Sequence, residues 1–353
     1  MARNSVAFIW HDAITALAGI VALLALVLPA HAADVVQVGT GGSAGDAPFY
    51  IAEARGYFKS ANLDVKVLVL DSGAKVIAPL GTGELDAGSG ALSVAFYNAI
   101  ARGIRFRIAA DRGHTEPEFR NYQTIFIRKD LIDSGKFKSF ADLKGMRFGF
   151  AASGVQSLSV LSTAAQLGGL KFEDVETVFM PFPQMIAAFE NKALDGTIYI
   201  EPQATIMVRQ GMGVRFTDTE SFYPGQQISV IFFSDKFATE RRDVAQRFIT
   251  AWLKAVRDYN DALAGGRMVA KGAEPIVDIV AKSFNLPADI VREMYSHAVS
   301  PSGAISKAAL QKDLDFFVSK GWVPTPPRLD DIIDMSFADK ANAELGPYTK
   351  KAN

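Results

Sequence analysis

Val35-Val-Gln-Val38-Gly39-Thr-Gly-Gly42-Ser43-Ala-Gly45-Asp46-Ala-Pro48-Phe49-Tyr50-Ile51-Ala52 is the stretch whose reading decides the fold. A short β-branched run feeds a glycine-rich loop, and Pro48 then opens a helix from its first turn, where a missing N–H is harmless. Strand, loop and helix start bring unpaired backbone N–H groups together at one point, which suits a small polar or anionic ligand.

Outward from that stretch the same unit repeats. The chain reads Val35–Val38 strand, Pro48–Ser60 helix, Asp64–Leu70 strand, Ala74–Thr82 helix, Leu85–Gly88 strand, Leu92–Arg102 helix and Arg105–Ala110 strand. After a polar interval with Pro117 a second series follows, with strands at Asn121–Arg128, Met146–Phe150, Val175–Met180, Gly196–Ile200 and Val214–Asp218, and helices between them. Strands regularly followed by helices imply a mostly parallel sheet with right-handed crossovers. The expected fold is therefore α/β in two lobes, one from residues 33–120 and 226–353 and one from residues 121–225. The runs Asn121–Arg128 and Gln227–Phe233 bracket the second lobe and are expected to form a two-strand hinge. The remainder is helical, most clearly over Glu240–Leu263, where Val244, Phe248, Trp252, Val256 and Tyr259 recur along one face.

Composition bounds the function. Across 353 residues, 37 basic and 38 acidic side chains leave a net charge of -1, and no polybasic run occurs, which argues against a nucleic-acid partner. The N-terminus reads as an export signal over residues 1–32: Arg3, an apolar run Ala13–Leu28, and small residues at Ala30 and Ala32 that fit a cleavage site. The expected location is the periplasm. With no cysteine there are no disulfides, thiolate metal sites or cysteine nucleophiles, and no metal or cofactor is expected.

Three chemistries fit pieces of the opening loop and fail on their partners. Gly41-Gly-Ser43-Ala-Gly45 matches the nucleophile elbow, but beyond the export segment the chain offers only His114 and His297 as bases, so a hydrolase using Ser43 is a remote alternative. Gly39-x-Gly41-x-x-Ala44 is a weak dinucleotide fingerprint, interrupted by Pro48. Ser72-Gly-Ala-Lys75 lacks the companion motifs of the enzymes that share S-x-x-K. What remains is a set of strand-end loops, the places where a doubly wound sheet binds ligands. They carry Gly42, Ser43, Ser89, Gly90 and Arg112 in the first lobe and Ser153, Gly154, Gln156 and Glu201 in the second, with Phe49 as a wall. Facing lobes would bring them to one cleft.

The order of Ala47-Pro-Phe-Tyr-Ile-Ala52, Gly56-Tyr-Phe58, Asn62-Leu-Asp-Val65, Gly83-Glu-Leu-Asp-Ala-Gly88, Asp142-Leu-Lys-Gly145 and Ala188-Phe-Glu-Asn-Lys-Ala-Leu-Asp-Gly196 resembles the periplasmic solute-binding proteins of ABC importers. The similar group is the one that binds nitrate, taurine, aliphatic sulfonates and thiamine precursors. That resemblance implies a type II periplasmic binding fold, a solute held between lobes, a membrane permease with its ATPase as partner, and a monomer. It also implies ligand contacts at Ser43, Ser89, Ser153-Gly154 and Glu201. A related enzyme branch carries a cysteine-rich motif that this chain lacks. The expected function is capture of a small organic solute, a sulfonate, aromatic acid or pyrimidine-like molecule; a sensing subunit that docks on a membrane receptor is the alternative.

Overall fold

The computed structural model describes residues 32–70 and 73–351, so all but the last residue of the expected export segment lies outside the described residues. No helix among them is long and apolar enough to cross a membrane. Among the described residues ten strands run in order: β1 Asp34–Thr40, β2 Leu63–Val69, β3 Ala87–Gly90, β4 Phe106–His114, β5 Gln123–Arg128, β6 Arg147–Phe150, β7 Glu176–Phe179, β8 Gly196–Ile200, β9 Gly213–Asp218 and β10 Gln227–Ser234. They form two five-stranded sheets, β2-β1-β3-β10-β4 and β7-β6-β8-β5-β9.

The two sheets share one plan. In the first, β1 lies parallel to β3, and β10 runs antiparallel between β3 and β4. In the second, β6 lies parallel to β7 and β8, and β5 runs antiparallel between β8 and β9. Each antiparallel strand follows directly from the other lobe, since β5 comes after β4 and β10 after β9. The two runs expected as a hinge are thus complete strands inside their own sheets. The crossings precede them, and touch where Thr115 N–H donates to the Gln226 carbonyl and Gln226 N–H to the Thr115 hydroxyl.

Both faces of each sheet are covered, which explains why these strands read as continuous apolar runs rather than alternating ones. Along β10, Ile231 and Phe233 belong to one core, while Val230 and Phe232 belong to another on the opposite face. In β5, Ile125 and Ile127 divide from Phe126 in the same way. The helix Arg242–Asp261 buries Val244, Phe248, Trp252, Val256 and Tyr259 in the first of these cores. The expected helix over 48–60 is split: Ala47–Ala54 ends and Tyr57–Ser60 restarts after Gly56, whose φ of 70° suits glycine. The helix Lys307–Ser319 straddles the seam. Its Leu310, Leu314 and Phe317 pack with Phe96 and Phe106 of the first lobe, while Phe316 meets the Phe172 ring of the second.

Candidate functional site

The strand ends of the two sheets meet around a cavity of about 150 Å3. The first lobe contributes the loop Thr40–Ser43, Ser89–Ala91, Ser93, Arg112 and Ser229; the second contributes Gln123, Phe150, Val155–Ser157, Met185, Thr197 and Ile198. Two backbone hydrogen bonds close the lobes over it: Val94 N–H donates to the Gly154 carbonyl at 2.9 Å, and Ala44 N–H to the Glu201 carbonyl at 3.1 Å. The floor is hydroxyl and amide, the walls aliphatic and aromatic, as small-solute pockets generally are.

Arg112, 5% exposed, anchors the first-lobe side. Its Nη2 donates to the Asp46 carboxylate and, at 3.0 Å, to the Ser43 hydroxyl; Nη1 donates to Ser229 Oγ at 3.2 Å. Burial opposes the guanidinium charge, yet Asp46 beside it more than offsets this and raises its pKa. Asp46 is itself fully buried and also accepts from Thr40 Oγ1 at 2.8 Å and Ser43 N–H at 3.0 Å. A Cβ at Gly45 would stand 2.9 Å from the Arg112 guanidinium carbon, so a side chain there would displace the guanidinium from its partners. Beneath the knot, His297 Nε2–H donates to the Arg112 carbonyl at 2.9 Å and its ring lies tilted by 38° against Tyr122, the centroids 4.4 Å apart. Burial, with Arg112 nearby, pushes the His297 imidazole down to about 3, so it is neutral at ordinary pH.

Of the expected site residues, Gly42, Ser43, Ser89, Gly90, Arg112 and Gln156 line the cavity. Four do not. Phe49 is 1% exposed and packs between Phe248 and Trp252, because its position on the helix Ala47–Ala54 faces the core rather than the cleft. The Glu201 carboxylate is fully buried and committed to Arg215, Thr205 N–H and Tyr295 N–H, so what it presents across the cleft is its backbone carbonyl. Burial raises its pKa against the opposing pull of Arg215. Ser153 and Gly154 sit at the seam outside the lining, where Gly154 receives Val94 N–H. Tyr122 and Gln123 line the cavity and were not singled out from the sequence; Gln123 opens β5 with Thr124 as a polar pair before the apolar run Ile125–Ile127, and that is the signal it left.

The elbow chemistry fails on geometry. Ser43 Oγ is bonded by Arg112, while His114 Nδ1 faces Asp111 at 2.8 Å and His297 bonds the Arg112 carbonyl, so neither imidazole serves the serine.

Residues 30–271 match the profile of the NMT1-like family. The chain belongs to the NMT1-like family. A putative binding protein of Brucella abortus is 25% identical over 245 residues, a match that spans 66% of each chain. Among solved structures, this family member is similar to the alkanesulfonate-binding protein SsuA of Xanthomonas axonopodis bound to MOPS, with a TM-score of 0.71 for a related Staphylococcus aureus ABC-import ligand-binding component and 0.69 for SsuA itself. The SsuA match covers 87% of this chain and 100% of the other at 15% identity; the Staphylococcus match covers 87% and 99% at 16%. The desulfurization enzyme DSZB shares the fold at a TM-score of 0.61 and 16% identity, with 89% of this chain and 100% of that one covered. At these identities the likeness concerns the fold, which is the two-lobed type II arrangement.

Proposed function

We propose that this NMT1-like protein captures a small organic solute between its lobes in the periplasm and delivers it, as a monomer, to an ABC permease, without chemical turnover. The observation that carries the reading is the cavity at the lobe seam, lined from both sheets and closed by backbone hydrogen bonds from each side. A ligand that touches both lobes favours the closed arrangement by its differential affinity for it, and closure is the signal a permease can read. The Brucella relative is named a putative binding protein and the Xanthomonas structure is an alkanesulfonate-binding protein, which supports a binding role. No nucleophile–base pair has formed around Ser43, which favours binding over hydrolysis.

A thermal-shift screen of small sulfonates, aromatic acids, amides and pyrimidines tests the proposal. A binding protein gains melting temperature with ligand concentration and leaves the ligand unaltered. A ligand recovered hydrolysed, with the loss of that activity in Ser43→Ala, would overturn it.

A further inference from the structure

We infer that the solute is uncharged and brings its own hydrogen-bond donor, so that the site selects neutral amide-like molecules over sulfonate, carboxylate or nitrate anions. The inference rests on the proposed capture function and adds the chemistry of what is captured.

Charge comes first. Among the described residues that line the cavity, Arg112 is the one charged side chain. Its counter-charge is already in place, since the buried Asp46 carboxylate receives Nη2 with 6% and 0% side-chain exposure for the pair. An anion entering the cavity would meet a guanidinium whose partner is fixed beside it, and would lose its hydration without gaining a free cation in return. Sites built for carboxylates and sulfonates keep an arginine fork open for bidentate contact. Here both terminal nitrogens are occupied, by Asp46, Ser43 and Ser229, while the buried Nε, the one Arg112 nitrogen without a partner, leaves a single N–H rather than an open fork. The helix starts beside the cavity are occupied as well: Val94 N–H bonds Gly154, and Phe96 N–H bonds the Ser93 hydroxyl.

The second observation is Gln123. Its side chain lines the cavity, it is 3% exposed, and its Oε1 has no hydrogen-bond partner. A buried amide oxygen without a partner is unfavourable unless something supplies one, and whichever way the amide is turned it offers an acceptor as well as a donor. The acceptor calls for an N–H or O–H on the solute, which nitrate and ionised sulfonates and carboxylates lack. The aliphatic and aromatic walls, Phe150, Val155, Met185 and Ile198, suit a flat apolar body, and a cavity of about 150 Å3 has room for one small ring.

Matched pairs that differ only in charge and donor test this: benzamide against benzoate, and methanesulfonamide against methanesulfonate, titrated at pH 7.5 by thermal shift and calorimetry. The neutral member of at least one pair should bind the wild type at least about tenfold more tightly than its anion, the scale of one satisfied hydrogen bond together with one avoided buried charge. Asp46→Asn, which frees the Arg112 charge, should gain binding of benzoate or methanesulfonate that the wild type lacks. Gln123→Leu removes an unpaired buried amide, so it should keep or raise the melting temperature of the empty protein and weaken the amide at least about tenfold; it reads the inference independently should Asp46→Asn not fold. Anions that bind the wild type as tightly as their amides, or a Gln123→Leu protein with undiminished amide binding, overturn the inference and leave capture standing. If no probe of either charge shifts the wild type and Asp46→Asn gains no anion binding, the inference and the capture reading fall together.

Discussion

Asp313 and His297 are fully enclosed titratable side chains whose effects on stability run in opposite directions. Asp313, on the helix Lys307–Ser319, is 3% exposed and receives the hydroxyls of Ser159 and Tyr223 on one oxygen. Burial pushes its carboxyl up to about 6 although both hydroxyls pull it down. Its folded pKa exceeds the unfolded value of 3.8, so its contribution to stability declines as pH rises from about 4 to about 6. His297 is the reverse. Pushed down to about 3 from 6.5, it makes stability grow over the range from about 3 to 6.5 as the unfolded chain gives up its proton. In the wild type the two slopes oppose one another between pH 4 and 6. Asp313→Asn should unmask His297, so that urea-unfolding stability rises between pH 4 and 6 by about 2 kcal/mol more than in the wild type, the larger part of a shift of roughly two pKa units. Parallel pH profiles for the two proteins would refute this. At the same scale the sequence was only partly legible. Ser43, Ser89 and Arg112 could be placed at strand ends by counting, but the direction in which Phe49 and Glu201 point depends on helix phase and on a partner, Arg215, fourteen residues on. Asp46 illustrates the same limit: its position in the loop was plain, whereas its pairing with Arg112 joins β4 to a turn 66 residues earlier.

Elements were read more securely than side chains, because their signals are local. The four-residue recurrence of Val244, Phe248, Trp252 and Val256 defines the buried stripe of the helix Arg242–Asp261, and its mean spacing leaves no alternative to an amphipathic helix. Strand existence was legible for the same reason, but the partner of each strand was not. The run at Gln227–Ser234 carries no mark that says it will insert antiparallel between β3 and β4 of a sheet begun nearly 200 residues earlier. The load on this helix is concentrated at Trp252, fully buried with its ring 6.1 Å from Phe49. Trp252→Ala should lower unfolding free energy by about 3–5 kcal/mol through lost apolar burial and the cavity left behind. Because the helix packs on Ala47–Ala54, which carries the loop Thr40–Asp46 above it, chemical denaturation should remain a single transition with a lower midpoint. A change under about 1 kcal/mol would show that the surrounding rings collapse into the space.

For the whole molecule the governing variable is whether the lobes meet, and Gly154 controls that contact. It holds φ of 69°, its carbonyl receives Val94 N–H from the opposite lobe, and a Cβ placed on it would stand 2.7 Å from the Cβ of Val94. Gly154→Ala therefore has two effects of different reach. The left-handed backbone is less favourable for alanine by about 1 kcal/mol whether the lobes are together or apart, which lowers the melting temperature modestly. The clash with Val94 exists only when the lobes are together, so it shifts the population toward the open form. A penalty of about 1–2 kcal/mol on closure alone translates into roughly 5- to 30-fold weaker solute binding, with the pocket's own side chains unchanged. Calorimetry with whichever amide probe binds the wild type measures the loss. Val94→Gly in the same chain takes away the obstructing side chain and should restore most of the affinity while leaving the backbone strain, and hence the lowered melting temperature, in place. Equal affinity in Gly154→Ala and wild type would mean that the seam yields without effort, and that closure is held by the solute and the helix Lys307–Ser319 rather than by this contact.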